Sequence, residues 1–193
     1  MPDAGSSIGH LSAPEPEVVT ALVADGKLLV GTLDDLPVAW WSFTKTILAA
    51  AALALVDAGR LSLDAPLAGP RYTLRQVLQH RAGFPDYGWL KAYHEAVARG
   101  DQPWPLAELL ERVAVLRAPE PGSGFLYSNV GYLLVRQLIE ETAGEPIGKA
   151  VARIVLAPLG IADANFATTP EHLAGTRWGN ARVYDPDGCI TAS

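Results

Sequence analysis

Apolar positions along the chain fall into blocks with different periods. Val18 to Ala24 and Lys27 to Leu33 are two apolar, β-branched-rich runs separated by Asp25-Gly26. That pair accepts the positive φ angles of a tight type I′ turn, so the two runs predict a β-hairpin. Asp34, Asp35 and Pro37 break the second run, as turn-forming residues do. Ser42 to Ala58 is a long Ala/Leu-rich segment closed by Gly59, which predicts a helix. Phe43, Ile47, Leu48, Ala51, Leu53, Leu55 and Val56 cover its every face, so the helix is expected in the middle of the fold, holding rigidly whatever stands at its start.

Leu61 to Pro70 reads as a loop, after which Thr73 and Gln76 form a capping box opening a short helix from Leu74 to Gln79. Turn residues from His80 to Gly88 follow it. Leu106, Leu109, Leu110, Val113 and Leu116 mark the apolar face of an amphipathic helix over Pro105 to Arg117. Pro119, Pro121, Gly122 and Gly124 end it. Further helices are predicted from Ser128 to Thr142, stopped by Gly144, and from Pro146 to Val155, with the proline at its start. Beyond Leu159-Gly160 the pattern fades into loop. Strands confined to the N-terminal region and helices thereafter predict an α+β class: a helical subdomain plus an N-terminal β-hairpin of an incomplete antiparallel sheet. A lone hairpin is not a stable sheet, so further strands are expected either beyond this chain or from a partner.

Composition narrows the function. A chain of 193 residues with 49% apolar residues fits one globular domain. Fifteen Lys and Arg against 21 Asp and Glu leave a net charge of −6, which lacks the cationic field a nucleic-acid partner requires. The longest apolar run, Ile47 to Val56, is half the roughly 20 residues needed to span a bilayer. Met1 to Ser12 has no basic start followed by an apolar stretch, so no membrane segment or secretory signal is expected and the chain reads as cytoplasmic. Cys189 is the lone cysteine and is expected to be an inert thiol. His10, His80, His94 and His172 show no ligand spacing, so neither metal nor cofactor is implied. His80 is expected to end a helix with a cationic ring that suits the local dipole.

Three short patterns carry chemistry. Gly5-Ser6-Ser7-Ile8-Gly9 matches the G-x-S-x-G nucleophile elbow, but no strand precedes it and no periodic helix follows. Ser42-Phe43-Thr44-Lys45 places a hydroxyl at a helix start and an amine three residues on, where side chains are neighbours. A serine becomes a nucleophile when something takes its proton, and a lysine can do so when burial or positive potential lowers its pKa. The aromatic wall of Trp40, Trp41 and Phe43 is expected to exclude water, and the Ser42 N–H, at a helix start, is expected to be available to an oxyanion. Tyr127-Ser128-Asn129 opens another helix after the Pro/Gly-rich loop. A phenol beside an ammonium can relay a proton, and the Asn129 amide offers a donor and an acceptor to a substrate carbonyl or to Lys45. Each pattern alone is also explained by a capping serine, a solvated lysine and a packed tyrosine.

Together, Ser42-x-x-Lys45 and Tyr127-x-Asn129 resemble the serine β-lactamase and penicillin-binding protein superfamily, in the branch of class C β-lactamases, D-alanyl-D-alanine carboxypeptidases and esterases. Gly59 to Pro66, Leu78 to Pro85, Pro121-Gly122 and Ala157 to Ile161 are similar too, and the likeness covers Val18 to Phe166. It implies a β-lactamase/transpeptidase-like fold. It also implies a serine hydrolase that forms an acyl-enzyme at Ser42 with an ester, amide or lactam substrate, small molecule or peptide. By carry-over Lys45 and Tyr127 handle the proton, in an undecided division of labour, and Asn129 contacts the substrate. The family's third motif, K-T-G or H-x-G on a sheet-edge strand, does not follow Asn129. The chain therefore reads as one truncated domain over 1–193, with 18–33 the hairpin and 42–166 the helical part. A non-turnover binding or sensing module and an inactive remnant are the alternatives.

Overall fold

Asp25 (φ 49°) and Gly26 (φ 72°) both occupy the left-handed region, as a type I′ turn requires. They join β1 (Ala21–Ala24) to β2 (Lys27–Gly31) in an antiparallel pair with Ala24 opposite Lys27 and Ala21 opposite Gly31. The register shifts between Leu22 and Val23. The computed structural model describes residues 21–31, 37–67, 71–173, 176, 181–185 and 188–192. The expected strand residues Val18 to Thr20 and Thr32 to Leu33, the elbow-like Gly5 to Gly9, the leader reading of Met1 to Ser12 and His10 lie outside them. The chain divides into two units, Met1–Val38 with Gly175–Ser193, and Ala39–Ala174.

The first unit contains a second hairpin that overturns the expectation of strands only near the N-terminus. β3 (Ala181–Asp185) pairs antiparallel with β4 (Gly188–Ala192), with Asp185 opposite Gly188. Its signal is present in the chain: Asp185-Pro186-Asp187-Gly188 is a turn sequence between the β-formers Val183 and Tyr184 and their counterparts Ile190 and Thr191.

The second unit is helical. Its described α-helices are α1 (Thr44–Asp57), α2 (Leu74–Leu78), α3 (Lys91–Arg99), α4 (Leu106–Ala114), α5 (Asn129–Ala143) and α6 (Ile147–Val151), the last continuing as a π turn over Ala152–Leu156. The expected caps form. Thr73 Oγ1 accepts from Gln76 N–H at 3.3 Å while Gln76 Oε1 accepts from Thr73 N–H at 2.9 Å. Ser128 Oγ accepts from Gly131 N–H at 3.3 Å and starts α5, and Gly144 (φ 71°) ends it. α3 is an addition to the expected helices: it begins after Leu90 with no side-chain cap to announce it.

The core joins Leu48, Ala51, Ala52 and Leu55 of α1 to Leu74 and Val77 of α2, Val135 and Ile139 of α5, and Ile147, Ala150 and Val151 of α6. Ala51, Ala52 and Ala150 are fully buried, and their small side chains let the backbones approach closely. Each buried Leu, Ile or Val contributes about 1.5 to 3 kcal/mol. α1 is not buried all round: Leu53 is about half exposed, as is Phe43 in the turn just before it. Its buried residues Ile47, Leu48, Ala51, Ala52 and Leu55 form one stripe, which is as much of a helix as packing helices on one side can cover.

Two loops of this unit are pinned together beside the start of α1. Gly83 (φ 77°) passes so close to Pro119 that an added Cβ would lie 2.2 Å from the Pro119 carbonyl oxygen. Gly122 N–H donates to Arg81 O and Leu126 N–H to His80 O, both at 2.7 Å. The segment that carries Tyr127 is thereby fixed against the end of α2.

Candidate active site

Ser42 stands in a 3₁₀ turn, Trp41–Phe43, that leads into α1. The first donor of that turn is Phe43 N–H, bonded to Trp40 O at 2.9 Å. The Ser42 N–H therefore precedes the intrahelical ladder, at the end of the helix where backbone donors favour developing negative charge. Trp41 adopts φ 44°, an uncommon conformation for a bulky side chain. The expected aromatic wall does not form: Trp41 is 73%, Phe43 55% and Trp40 36% exposed. With φ positive at Trp41, the chain turns sharply just before Ser42.

The aromatic surroundings come instead from other elements. Ser42 Oγ lies 2.9 Å from the Tyr127 phenol oxygen, across 85 positions of sequence. Lys45 Nζ, one helical turn on, donates to Ser42 Oγ at 3.4 Å. It also sits 5.0 Å from the centre of the Tyr127 ring and 5.8 Å from that of Tyr132, within reach of cation–π attraction. Burial raises the pKa of the Tyr127 phenol, but hydrogen bonding to Lys45 and Ser42, together with the Lys45 charge, outweighs it and leaves the phenol below its usual value. The arrangement therefore eases loss of the phenolic proton at the atom nearest the serine hydroxyl.

Asn129, at the first position of α5, is held by a residue that sequence reasoning did not single out. Asp86 is 6% exposed, and its carboxylate accepts from Asn129 N–H, from Asn129 Nδ2–H at 3.3 Å and from Gly88 N–H at 2.8 Å. A buried carboxylate needs such donors to offset its lost hydration. One amide hydrogen of Asn129 is thus committed, which orients the remainder of the amide.

His80 corrects a second expectation. Its ring is not a cation capping a helix end: Nδ1 accepts the Ser128 N–H at 3.1 Å, which requires that nitrogen to be unprotonated. Burial first, then the Lys45 charge, hold its pKa below the ordinary value, against an opposite pull from Asp86. The ring stacks on Tyr127 at 4.6 Å between centres.

A pocket of about 450 Å³ lined by Tyr72, Phe84, Val113 and Pro119 includes none of Ser42, Lys45 or Tyr127. Among the described residues no three His, Cys, Asp or Glu side chains converge as a metal site would. No described helix is long and apolar enough to cross a membrane.

The Beta-lactamase family model matches residues 12–189. The chain belongs to the beta-lactamase family. Among relatives in this family, it is 32% identical over 158 residues to esterase EstB of Burkholderia gladioli, covering 69% of this chain and 39% of that protein. It is 29% identical over 120 residues to penicillin-binding protein 4* of Bacillus subtilis (strain 168), covering 58% of this chain and 25% of that one. The crystal structure of a penicillin binding protein from Bacillus halodurans superposes with TM-score 0.58 at 26% identity, over 81% of this chain and 51% of that chain. The fold is β-lactamase/transpeptidase-like, and the chain spans about half or less of the length of these beta-lactamase-family proteins.

Proposed function

We propose that the protein is a serine hydrolase in which Ser42 is acylated by an ester, amide or lactam and the acyl group is then released to water. The observation that carries this reading is the single hydroxyl oxygen of Ser42 lying within hydrogen-bonding distance of both the Tyr127 phenol and the Lys45 amine. Tyr127, the nearer group and the one with the lowered pKa, takes the serine proton as Oγ attacks the substrate carbonyl. Lys45 supplies the charge that favours the phenolate. The Ser42 N–H donates to the tetrahedral oxyanion. Tyr127 then returns its proton to the departing alkoxide or amine. Water attacks the acyl carbon, its proton passes to the Tyr127–Lys45 pair, and Ser42 leaves as the alcohol. Asn129, aimed by Asp86, binds the substrate carbonyl.

The test is labelling of the full chain with a fluorophosphonate and with a penicillin, read by mass spectrometry beside turnover of a p-nitrophenyl ester. An adduct on Ser42 that is absent from Ser42→Ala, together with ester turnover, is the expected result. A lasting adduct without turnover replaces hydrolysis by ligand capture. A folded protein that takes no label overturns the reading.

A further inference from the structure

His80 leaves α2 with φ 56°, a left-handed conformation that histidine and asparagine tolerate better than most residues. From that bend it holds three consecutive residues. Its carbonyl accepts the Leu126 N–H at 2.7 Å, its ring stacks on Tyr127 with the planes 30° apart, and its Nδ1 accepts the Ser128 N–H at 3.1 Å. The phenol that meets Ser42 is thus clamped before, at and after its own position by one side chain and its backbone. Only the carbonyl contact is independent of the protonation state of the ring.

We propose that neutral His80 is the positioning residue that keeps the Tyr127 phenol against Ser42, and that protonation of the ring releases this clamp and shuts the site down in acid. This inference rests on Ser42 being the acylated nucleophile. Protonated Nδ1 cannot accept from Ser128 N–H, and two donors would then face each other across 3.1 Å. The charged and titratable groups around the ring come from several elements: Lys45 from α1, Asp86 from the loop after α2, Tyr127 just before α5, and Tyr132 within it, 5.1 Å away between ring centres. Lys45 repels an imidazolium and Asp86 attracts it. Burial and Lys45 prevail, so the ring stays neutral to a lower pH than an unperturbed histidine. The imidazole makes no contact with Ser42 among the described hydrogen bonds, and it acts through Tyr127.

The experiment compares the fluorophosphonate labelling rate of Ser42 across a pH series in the wild type, His80→Phe and His80→Asn. Phenylalanine keeps an aromatic ring but removes the acceptor, and labelling near neutral pH is expected to fall about 10- to 100-fold, as misplacement of a reacting group does. Asparagine puts an amide oxygen near the place of Nδ1 and suits the same backbone angle. It is expected to recover at least part of the rate and to hold it to lower pH than the wild type. Wild-type rates in His80→Phe, or an unchanged acid limb in His80→Asn, overturn the proposal while leaving Ser42 as the nucleophile. A wild type that takes no label overturns the hydrolase reading instead. The clamp is then judged by NMR of the His80 ring and the Ser128 amide. An Nε2–H tautomer and a Ser128 amide shift that titrates with the ring support it; an Nδ1–H tautomer refutes it.

Discussion

Asp86 and Asn129, 43 positions apart in the sequence, are joined twice: the Asp86 carboxylate accepts both the backbone N–H and the side-chain amide of Asn129. The contact ties the loop after α2 to the first turn of α5 and fixes which way the amide can turn. With Gly88 N–H as its third donor, Asp86 is buried with no ion-pair partner among the described residues, and hydrogen bonds satisfy its carboxylate.

Replacing Asp86 by Ala strands those donors in a buried site. A loss of about 2 to 3 kcal/mol is expected, since hydrogen bonds to charged groups are worth about 1.5 to 3 kcal/mol each and part of the loss is recovered by water. The denaturant midpoint should fall with an unchanged slope. Asp86→Asn retains the shape and one acceptor and should lose less.

Tyr127→Phe removes only the phenol oxygen of a side chain that is 41% exposed. The melting temperature should stay near that of the wild type, while the acylation rate of Ser42 should drop about 10²- to 10⁴-fold, the usual contribution of a positioned acid–base group. Near-wild-type labelling in Tyr127→Phe would show that the nearest group to Oγ takes no part in removing its proton.

Lys45→Met tests the electrostatic half of the pair. Burial acts to raise the Tyr127 pKa, and hydrogen bonding and charge from Lys45 act to lower it. Without the amine the raising influence is less opposed, so the phenol should ionise at higher pH. UV difference titration of the variant against the wild type and Tyr127→Phe reads the shift, and the alkaline direction is the required sign.

Gly83→Ala should be far more damaging than an ordinary glycine substitution. The new Cβ would meet the Pro119 carbonyl oxygen at 2.2 Å and the backbone already stands at φ 77°. A loss of about 3 kcal/mol or more is expected from clash and strain together. Gly144→Ala is the control. It has a similar φ of 71° with no neighbour within 4 Å, so only the left-handed conformation is penalised, at about 1 to 2 kcal/mol. Because Gly83 anchors the loop crossing that fixes Tyr127, Gly83→Ala should also slow labelling of Ser42 in the fraction that remains folded.

Local features were legible in the chain alone. The type I′ turn at Asp25-Gly26, the Thr73–Gln76 capping box, the Ser128 cap and the Gly144 stop each depend on residues within a few positions of one another, so their residue types carry the whole signal. The spacing of Ser42 and Lys45 likewise follows from helical geometry. The pairing of the Ser42 motif with the Tyr127 motif came through resemblance, and the family match agrees with that resemblance. The tertiary structure alone decided the rest. Tyr127 reaches Ser42 because α1 packs on α5 and because the loops cross at Gly83 and Pro119. His80 Nδ1 is an acceptor because its ring meets a backbone donor 48 positions away, burial and the Lys45 charge hold its pKa below the ordinary value, and Asp86 serves Asn129 across a similar gap. Whether a side chain is a cation, an acceptor or a wall depends on which distant donors, charges and apolar surfaces surround it once the core has closed. No pattern along one sequence records those neighbours.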